Sequence, residues 1–88
     1  MIKGLTVLAE EKMKFERIKK LRKDKNLTQK TVAEYLGISQ SAYSHYENGE
    51  RRVPTYVLID LAEYYNTSID YIMSLSDVNK PYPKPKNK

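Results

Sequence analysis

The sequence predicts an all-α domain of five short helices, and three observations support this fold class. Apolar residues recur every three or four positions, which is the spacing of one face of a helix. Residues that cap helix N-termini and residues that tolerate a positive φ divide the chain into segments of about one helix each. No stretch alternates apolar and polar residues over enough positions for a strand.

The first helix is predicted over about residues 14–25. Phe15, Ile18 and Leu21 recur every three residues with charged residues between them, the pattern of a short amphipathic helix. Asn26 suits its C-terminal end, because asparagine tolerates the left-handed conformation that follows many helices.

The second and third helices are predicted to follow one another closely. Thr28 is a good N-cap for the second helix, and Gly37 ends it by permitting a positive φ. Ser39 is the next N-cap candidate, and the third helix is expected to close at Gly49. Only a tight turn separates the two helices.

Two further helices complete the predicted domain. Pro54 and Thr55 mark the start of the fourth helix, and the Asn-Thr-Ser sequence after Tyr65 is a break with another cap. A short fifth helix is predicted from its apolar residues, Ile69, Ile72, Met73 and Leu75.

The compact domain is therefore expected to span residues 14–76. Residues 1–13 are interpreted as an N-terminal arm or as an extension of the first helix. Residues 77–88 are rich in proline and lysine without apolar periodicity, so we expect a flexible tail.

Composition excludes several classes of protein. The 88 residues allow one domain, and the absence of cysteine fits a reducing cytoplasm. No apolar run approaches the roughly 18 residues of a membrane span, and no signal peptide is evident, so we expect an intracellular protein without a membrane partner. With one histidine and no cysteine, neither a zinc site nor another cofactor is expected.

The net charge of +5 is unevenly distributed. Residues 12–26 have a local charge of +6, residues 27–78 have −4, and the last ten residues add four lysines. Such basic segments can attract nucleic acid or an anionic membrane surface, or they can be no more than a solvated face.

The third helix divides into two unlike faces. At about 100° per residue, one arc of this helix holds amides, hydroxyls and an imidazole: Gln40, Ser41, Ser44, His45 and Asn48. The opposite side holds Ala42, Tyr43 and Tyr46 and is expected to face the core. Glutamine and asparagine can pair with adenine in the major groove, and serine can donate or accept, so the outer arc suits a reader of bases.

The segment "LRKDKNLTQKTVAEYLGISQSAYSHYENGERRVPTYVLIDLAEYYNTSIDYIM" resembles the phage repressor and Cro type of helix-turn-helix domain. The resemblance covers about residues 14–75, with cues in all five helices. It implies a lambda-repressor-like five-helix bundle that binds double-stranded DNA and regulates transcription, usually as a homodimeric repressor on palindromic operators.

The resemblance also implies roles for individual residues. The family's base-reading positions correspond to Gln40, Ser41 and Ser44, with His45 beside them. Contacts to the DNA backbone are expected from Gln29, Lys30, Asn48, Arg51 and Arg52. In relatives a salt bridge joins the first and third helices at the positions of Arg22 and Glu47.

Two departures from the family pattern affect these expectations. Tyr43 stands at a core position that is more often aliphatic, so its hydroxyl must reach the surface or a partner. The third helix has no lysine or arginine, which indicates modest affinity per monomer and a need for dimerisation. The residues assigned to a dimer interface, Ile69, Ile72, Met73 and Leu75, could instead cap the core.

Two other functions compete with DNA binding as interpretations of the sequence. Ser41 and His45 are four residues apart on one helix, but no third residue orients the imidazole, so we do not expect an enzyme. The same fold can serve as an antitoxin or as an adaptor-type protein-interaction module. The tyrosines or the "PYPKP" tail could then bind a protein partner, or could be packing residues and a linker.

Overall fold

The computed structural model describes residues 15–83, in which five helices are joined by short turns. They are α1 (Glu16–Asp24), α2 (Gln29–Leu36), α3 (Gln40–Glu47), α4 (Thr55–Tyr64) and α5 (Ile69–Ile72). These residues contain no strand. The predicted all-α class is confirmed, whereas the interpretation of residues 1–13 lies outside the described residues.

Hydroxyl side chains begin three of the helices. Thr28 accepts a hydrogen bond from the backbone N–H of Thr31 at 3.1 Å, and Ser39 accepts one from Ala42 at 3.0 Å. Ser68 caps α5 in the same way. Each cap satisfies a backbone donor that the first helical turn leaves unpaired, an interaction that contributes about 1 kcal/mol. The caps predicted at Thr28 and Ser39 are confirmed.

All five helices end in the same motif, in which a residue with positive φ follows the last helical turn. At α2, the N–H of Gly37 donates to the carbonyl of Glu34 at 3.2 Å, and the N–H of Ile38 donates to that of Ala33 at 3.1 Å. Gly37 has φ 73°, and a Cβ there would meet nothing within 4 Å, so glycine is favoured by its backbone conformation alone. The left-handed residues of the five ends are Asn26, Gly37, Gly49, Asn66 and Ser74.

Three of the turns between helices also share one residue order. A left-handed residue is followed by a residue that faces inward and then by the N-cap hydroxyl of the next helix. The three turns are Asn26-Leu27-Thr28, Gly37-Ile38-Ser39 and Asn66-Thr67-Ser68. Leu27 and Ile38 pack against the core. Thr67 occupies the equivalent position and is only 3% exposed.

The core is small and takes residues from every helix. It consists of Ile18, Leu21, Val32, Ala33, Tyr43, Val53, Val57, Leu58, Leu61, Ala62, Tyr65 and Ile72. Ile72 is predicted either to lie in a dimer interface or to cap the core, and its 0% exposure shows that it is part of the core. Its side chain is therefore not exposed to a second subunit, and α5 as a whole packs against α1 and α4.

After α5 the chain continues to residue 83 without regular secondary structure. Arg17 of α1 binds this segment: its Nη1 donates to the carbonyls of Tyr71 and Ser76 at 2.8 and 2.7 Å, and its Nη2 donates to Asp77 Oδ1 at 2.7 Å. The guanidinium also lies 4.1 Å from the centre of the Tyr71 ring. The start of the predicted tail is thus fastened to α1.

The buried hydroxyl of Thr67 generates a prediction about stability. Thr67 Oγ1 has no hydrogen-bond partner among residues 15–83. Replacing Thr67 by valine keeps the shape and removes a polar group that burial penalises, so Thr67→Val should raise the free energy of unfolding by about 1 kcal/mol. Thermal and urea unfolding would measure the change.

Thr67→Ser is the matched control, because it keeps the hydroxyl and loses the buried methyl group, and it should lower stability. A valine variant less stable than the natural chain would mean that the hydroxyl is bonded.

Candidate nucleic-acid interface

The α2–α3 pair presents the polar arc predicted on the third helix. Gln40, Ser41 and Asn48 are exposed, and Ser44 and His45 are half-buried. On the opposite side, Tyr43 and Glu47 are buried one helical turn apart, and Ala42 and Tyr46 are half-buried. The outer arc is therefore a surface, and the inner stripe fixes which way it faces.

The inner stripe is anchored by a buried carboxylate. Glu47, 2% exposed, receives four hydrogen bonds, two on each oxygen. Oε2 accepts from Arg22 Nε and from the Tyr43 hydroxyl, both at 2.6 Å. Oε1 accepts from Arg22 Nη2 and from Gln29 Nε2, both at 3.1 Å. Arg22 also donates from Nη1 to the carbonyl of Leu27 at 2.9 Å.

The hydrogen bonds of the cluster favour a charged Glu47, a charged Arg22 and a neutral Tyr43 hydroxyl. Burial by itself raises the pKa of Glu47, but hydrogen bonds from Arg22, Tyr43 and Gln29 outweigh it, so the pKa lies below its ordinary value. The hydrogen bond to Glu47 raises the pKa of Arg22 despite burial. Burial, followed by the bond to Glu47, raises the pKa of Tyr43, so its hydroxyl remains a donor.

The cluster joins α1, α2 and α3. The ion pair expected between Arg22 and Glu47 is present in the structure. The partner that the buried Tyr43 hydroxyl requires is Glu47, and no local pattern in the sequence indicates this contact. Gln29 donates one hydrogen of its amide NH₂ group to Glu47 of α3, and the second hydrogen of that group can be donated to another acceptor.

The residues expected to bind the DNA backbone lie before α3, at its end and after it in the sequence. Lys30, Asn48, Arg51 and Arg52 are exposed. Among the described residues, none of the three basic side chains forms an ion pair. Asn48 Nδ2 donates to Ser44 Oγ at 3.4 Å, which links two polar residues of the arc.

His45 has a partner that its sequence position did not suggest. Its Nδ1 lies 2.5 Å from Glu50 Oε1. Glu50 follows the end of α3, and the signal that could have located it is Gly49, because a glycine at this position turns the chain back over the last helical turn.

The part of the chain that the structure describes holds no cluster of three or more metal-binding side chains. None of its helices is long and apolar enough to cross a membrane.

Comparison with known proteins is consistent with this geometry. The helix-turn-helix family model matches residues 18–72, which include α2 to α5 and all but the first two residues of α1. The chain belongs to the helix-turn-helix family. The resemblance to its phage repressor and Cro type is confirmed, with α2 and α3 as the two helices of the motif.

Three similar proteins are HTH-type transcriptional regulators of Bacillus subtilis. YobD, named as uncharacterized, is 39% identical over 72 residues, which cover 82% of this chain and 64% of YobD. ImmR is 37% identical over 65 residues, or 74% of this chain and 51% of ImmR. AnsR is 33% identical over 72 residues, or 82% and 62% of the two chains.

This helix-turn-helix chain thus spans half to less than two thirds of these relatives' length. No solved structure matches it.

The Glu47 cluster predicts unequal effects for two neighbouring basic residues. Arg22→Ala leaves a buried carboxylate without its cation, so the free energy of unfolding should fall by about 3 to 5 kcal/mol. Lys23→Ala, the control, removes an exposed side chain and should change it by less than about 0.5 kcal/mol. Urea unfolding would compare the two.

If Arg22→Ala does not fold, the double variant Arg22→Met with Glu47→Leu should restore folding, because it removes both charges together. Equal effects of the two alanine substitutions would contradict the buried pair.

Proposed function

We propose that this chain binds double-stranded DNA sequence-specifically through α3 and represses transcription from palindromic operators as a homodimer. The observation that supports it best is the opposition of two stripes on one helix. Tyr43 and Glu47 are buried and bonded, so the arc with Gln40 and Ser41 is presented from a rigid support. The names of the relatives as transcriptional regulators point the same way.

Base reading starts at the N-terminal end of α3. Gln40 is its first residue, and its exposed amide can pair bidentately with adenine N6 and N7 in the major groove. Ser41 and Ser44 follow on the same arc, and a hydroxyl can serve either donors or acceptors of a base. His45 lies one turn from Ser41.

The grip on the DNA backbone comes from outside α3. Arg51 and Arg52 follow the helix, and Lys30 lies at the start of α2; all three are exposed. Glu47 would repel phosphate, but the hydrogen bonds from Arg22 compensate its charge within the fold. Affinity should therefore depend on these basic residues and fall steeply with salt.

Selection of bound fragments from random-sequence DNA tests the proposal. We expect enrichment of two-fold symmetric sites with half-sites about one helical turn apart. Gln40→Ala should relax the preference at one base pair by about 1 to 3 kcal/mol, whereas Arg51→Ala should weaken all sequences alike and reduce the salt dependence.

Lys80→Ala is the matched control for charge, because it removes one exposed cation from the tail. A preferred site that Gln40→Ala leaves unchanged would exclude Gln40 as a reader. Binding that is absent or insensitive to salt would contradict DNA binding.

The homodimer is proposed to form at the C-terminal end of the domain. Ile69 and Met73 are half-buried, and Leu75 is 72% exposed. Because Ile72 lies inside the core, only these three of the four residues of the predicted interface can contact a second subunit. Dimerisation would give a helix that lacks lysine and arginine a second point of attachment to DNA.

Leu75→Glu should therefore lower the dimer fraction in sedimentation over a range of protein concentrations. Tyr56→Glu is the control, since it changes a comparably exposed large side chain, 65% exposed, in the first turn of α4. A natural chain that sediments as a monomer at all concentrations, free and on DNA, would contradict the homodimer.

One observation favours a second function, a protein-interaction module such as an antitoxin or adaptor. Tyr35 of α2 stacks on Tyr64 of α4 with ring centroids 4.2 Å apart, and Tyr65 meets Tyr64 edge-on. Tyr35 is exposed, and aromatic residues are enriched at protein interfaces. Absence of salt-dependent DNA binding in the selection experiment would favour this function. Either activity is expected in the cytoplasm.

A further inference from the structure

The end of α3 holds Glu50 against His45 by two independent contacts. Gly49 has φ 75°, and the N–H of Glu50 donates to the carbonyl of His45 at 2.9 Å, the hydrogen-bond pattern of the left-handed helix end. The side chains then meet, with Glu50 Oε1 2.5 Å from His45 Nδ1. The backbone turn therefore positions the carboxylate, so the contact does not depend on two freely moving side chains.

This contact decides which ring nitrogen carries hydrogen. An ionised carboxylate only accepts hydrogen bonds, so His45 Nδ1 must be the donor. In a neutral imidazole the other nitrogen, Nε2, is then an acceptor. Glu50 is the one charged side chain bonded to this ring among residues 15–83. Nε2 makes no hydrogen bond among the described residues, and His45 is only half-buried, so this nitrogen is available to a ligand.

We propose that Glu50 determines base specificity by holding His45 as an acceptor toward DNA. In the major groove only adenine N6 and cytosine N4 offer amino hydrogens, whereas guanine O6 and N7 and thymine O4 are acceptors. As a neutral imidazole, His45 should therefore use Nε2 to select an amino-bearing base, adenine or cytosine. This inference rests on the proposed function of α3.

Glu50 is an exposed acidic residue beside the helix proposed to read DNA. Free of any partner, Glu50 would repel phosphate. The hydrogen bond to a neutral ring leaves the charge of Glu50 in place, but it orients the imidazole of His45, as carboxylates orient histidines at other functional sites. Glu50 is thus a positioning residue that acts through His45.

The first test measures the tautomer in the free protein. Nitrogen-15 shifts of the imidazole, recorded over a pH series, identify the protonated nitrogen in the neutral ring. We expect hydrogen on Nδ1 in the natural chain and a mixture of tautomers in Glu50→Ala. Glu50→Gln keeps a carbonyl acceptor and should restore the Nδ1–H form. Hydrogen on Nε2 in the natural chain would overturn the inference, whether or not the protein binds DNA.

The second test compares the bases selected by the natural chain, His45→Ala, Glu50→Ala and Glu50→Gln. We expect one position with adenine or cytosine preferred by about fivefold, lost in both alanine variants and recovered in Glu50→Gln. A preference for guanine or thymine at the position that His45→Ala alters would overturn the inference. Unaltered selection by Glu50→Ala would do the same. Absence of all DNA binding would instead refute the proposed function and the base selection that rests on it, while the tautomer result would stand.

Discussion

The buried carboxylate of Glu47 is the interaction on which the geometry of the other parts depends. A charge removed from water in so small a core is costly unless every oxygen is bonded, and here Arg22, Gln29 and Tyr43 supply four donors from three helices. Apolar contacts are not directional, whereas these bonds tolerate little displacement. The cluster therefore fixes the rotation of α3 about its own axis as well as its distance from α1 and α2.

That rotation has a direct consequence for the outer surface. With Tyr43 and Glu47 turned inward, Gln40 and Ser41 must face outward, because residues on opposite sides of one helix cannot exchange places. The same cluster compensates an acidic charge that would oppose DNA. Among the described residues, Lys30, Arg51 and Arg52 form no ion pair, and all three lie outside α3. The helix thus offers selectivity, and its neighbours offer attraction.

The same left-handed helix end recurs throughout the fold, and its structural consequence differs from helix to helix. The left-handed end of α2 sends Ile38 toward the core and makes a tight helix-turn-helix possible. The equivalent end of α4 buries Thr67, although its hydroxyl has no partner among the described residues. At α3 the same turn leads a polar residue back over the helix, so that Glu50 meets His45 rather than the core.

Local rules determined the secondary structure, because caps and left-handed residues act within a few positions of one another: Thr28, Ser39, Gly37 and Gly49 could be identified from the sequence. The outer arc of α3 followed from helical periodicity, and the Arg22–Glu47 pair from resemblance to a family. Other contacts join distant segments and have no local signal. Only the approach of the helices decided that Gln29 and Tyr43 share Glu47, that Ile72 closes the core, and that Arg17 binds Asp77 across 60 positions. Hydrogen bonds and burial of this kind depend on where whole helices pack, which is a property of the tertiary structure.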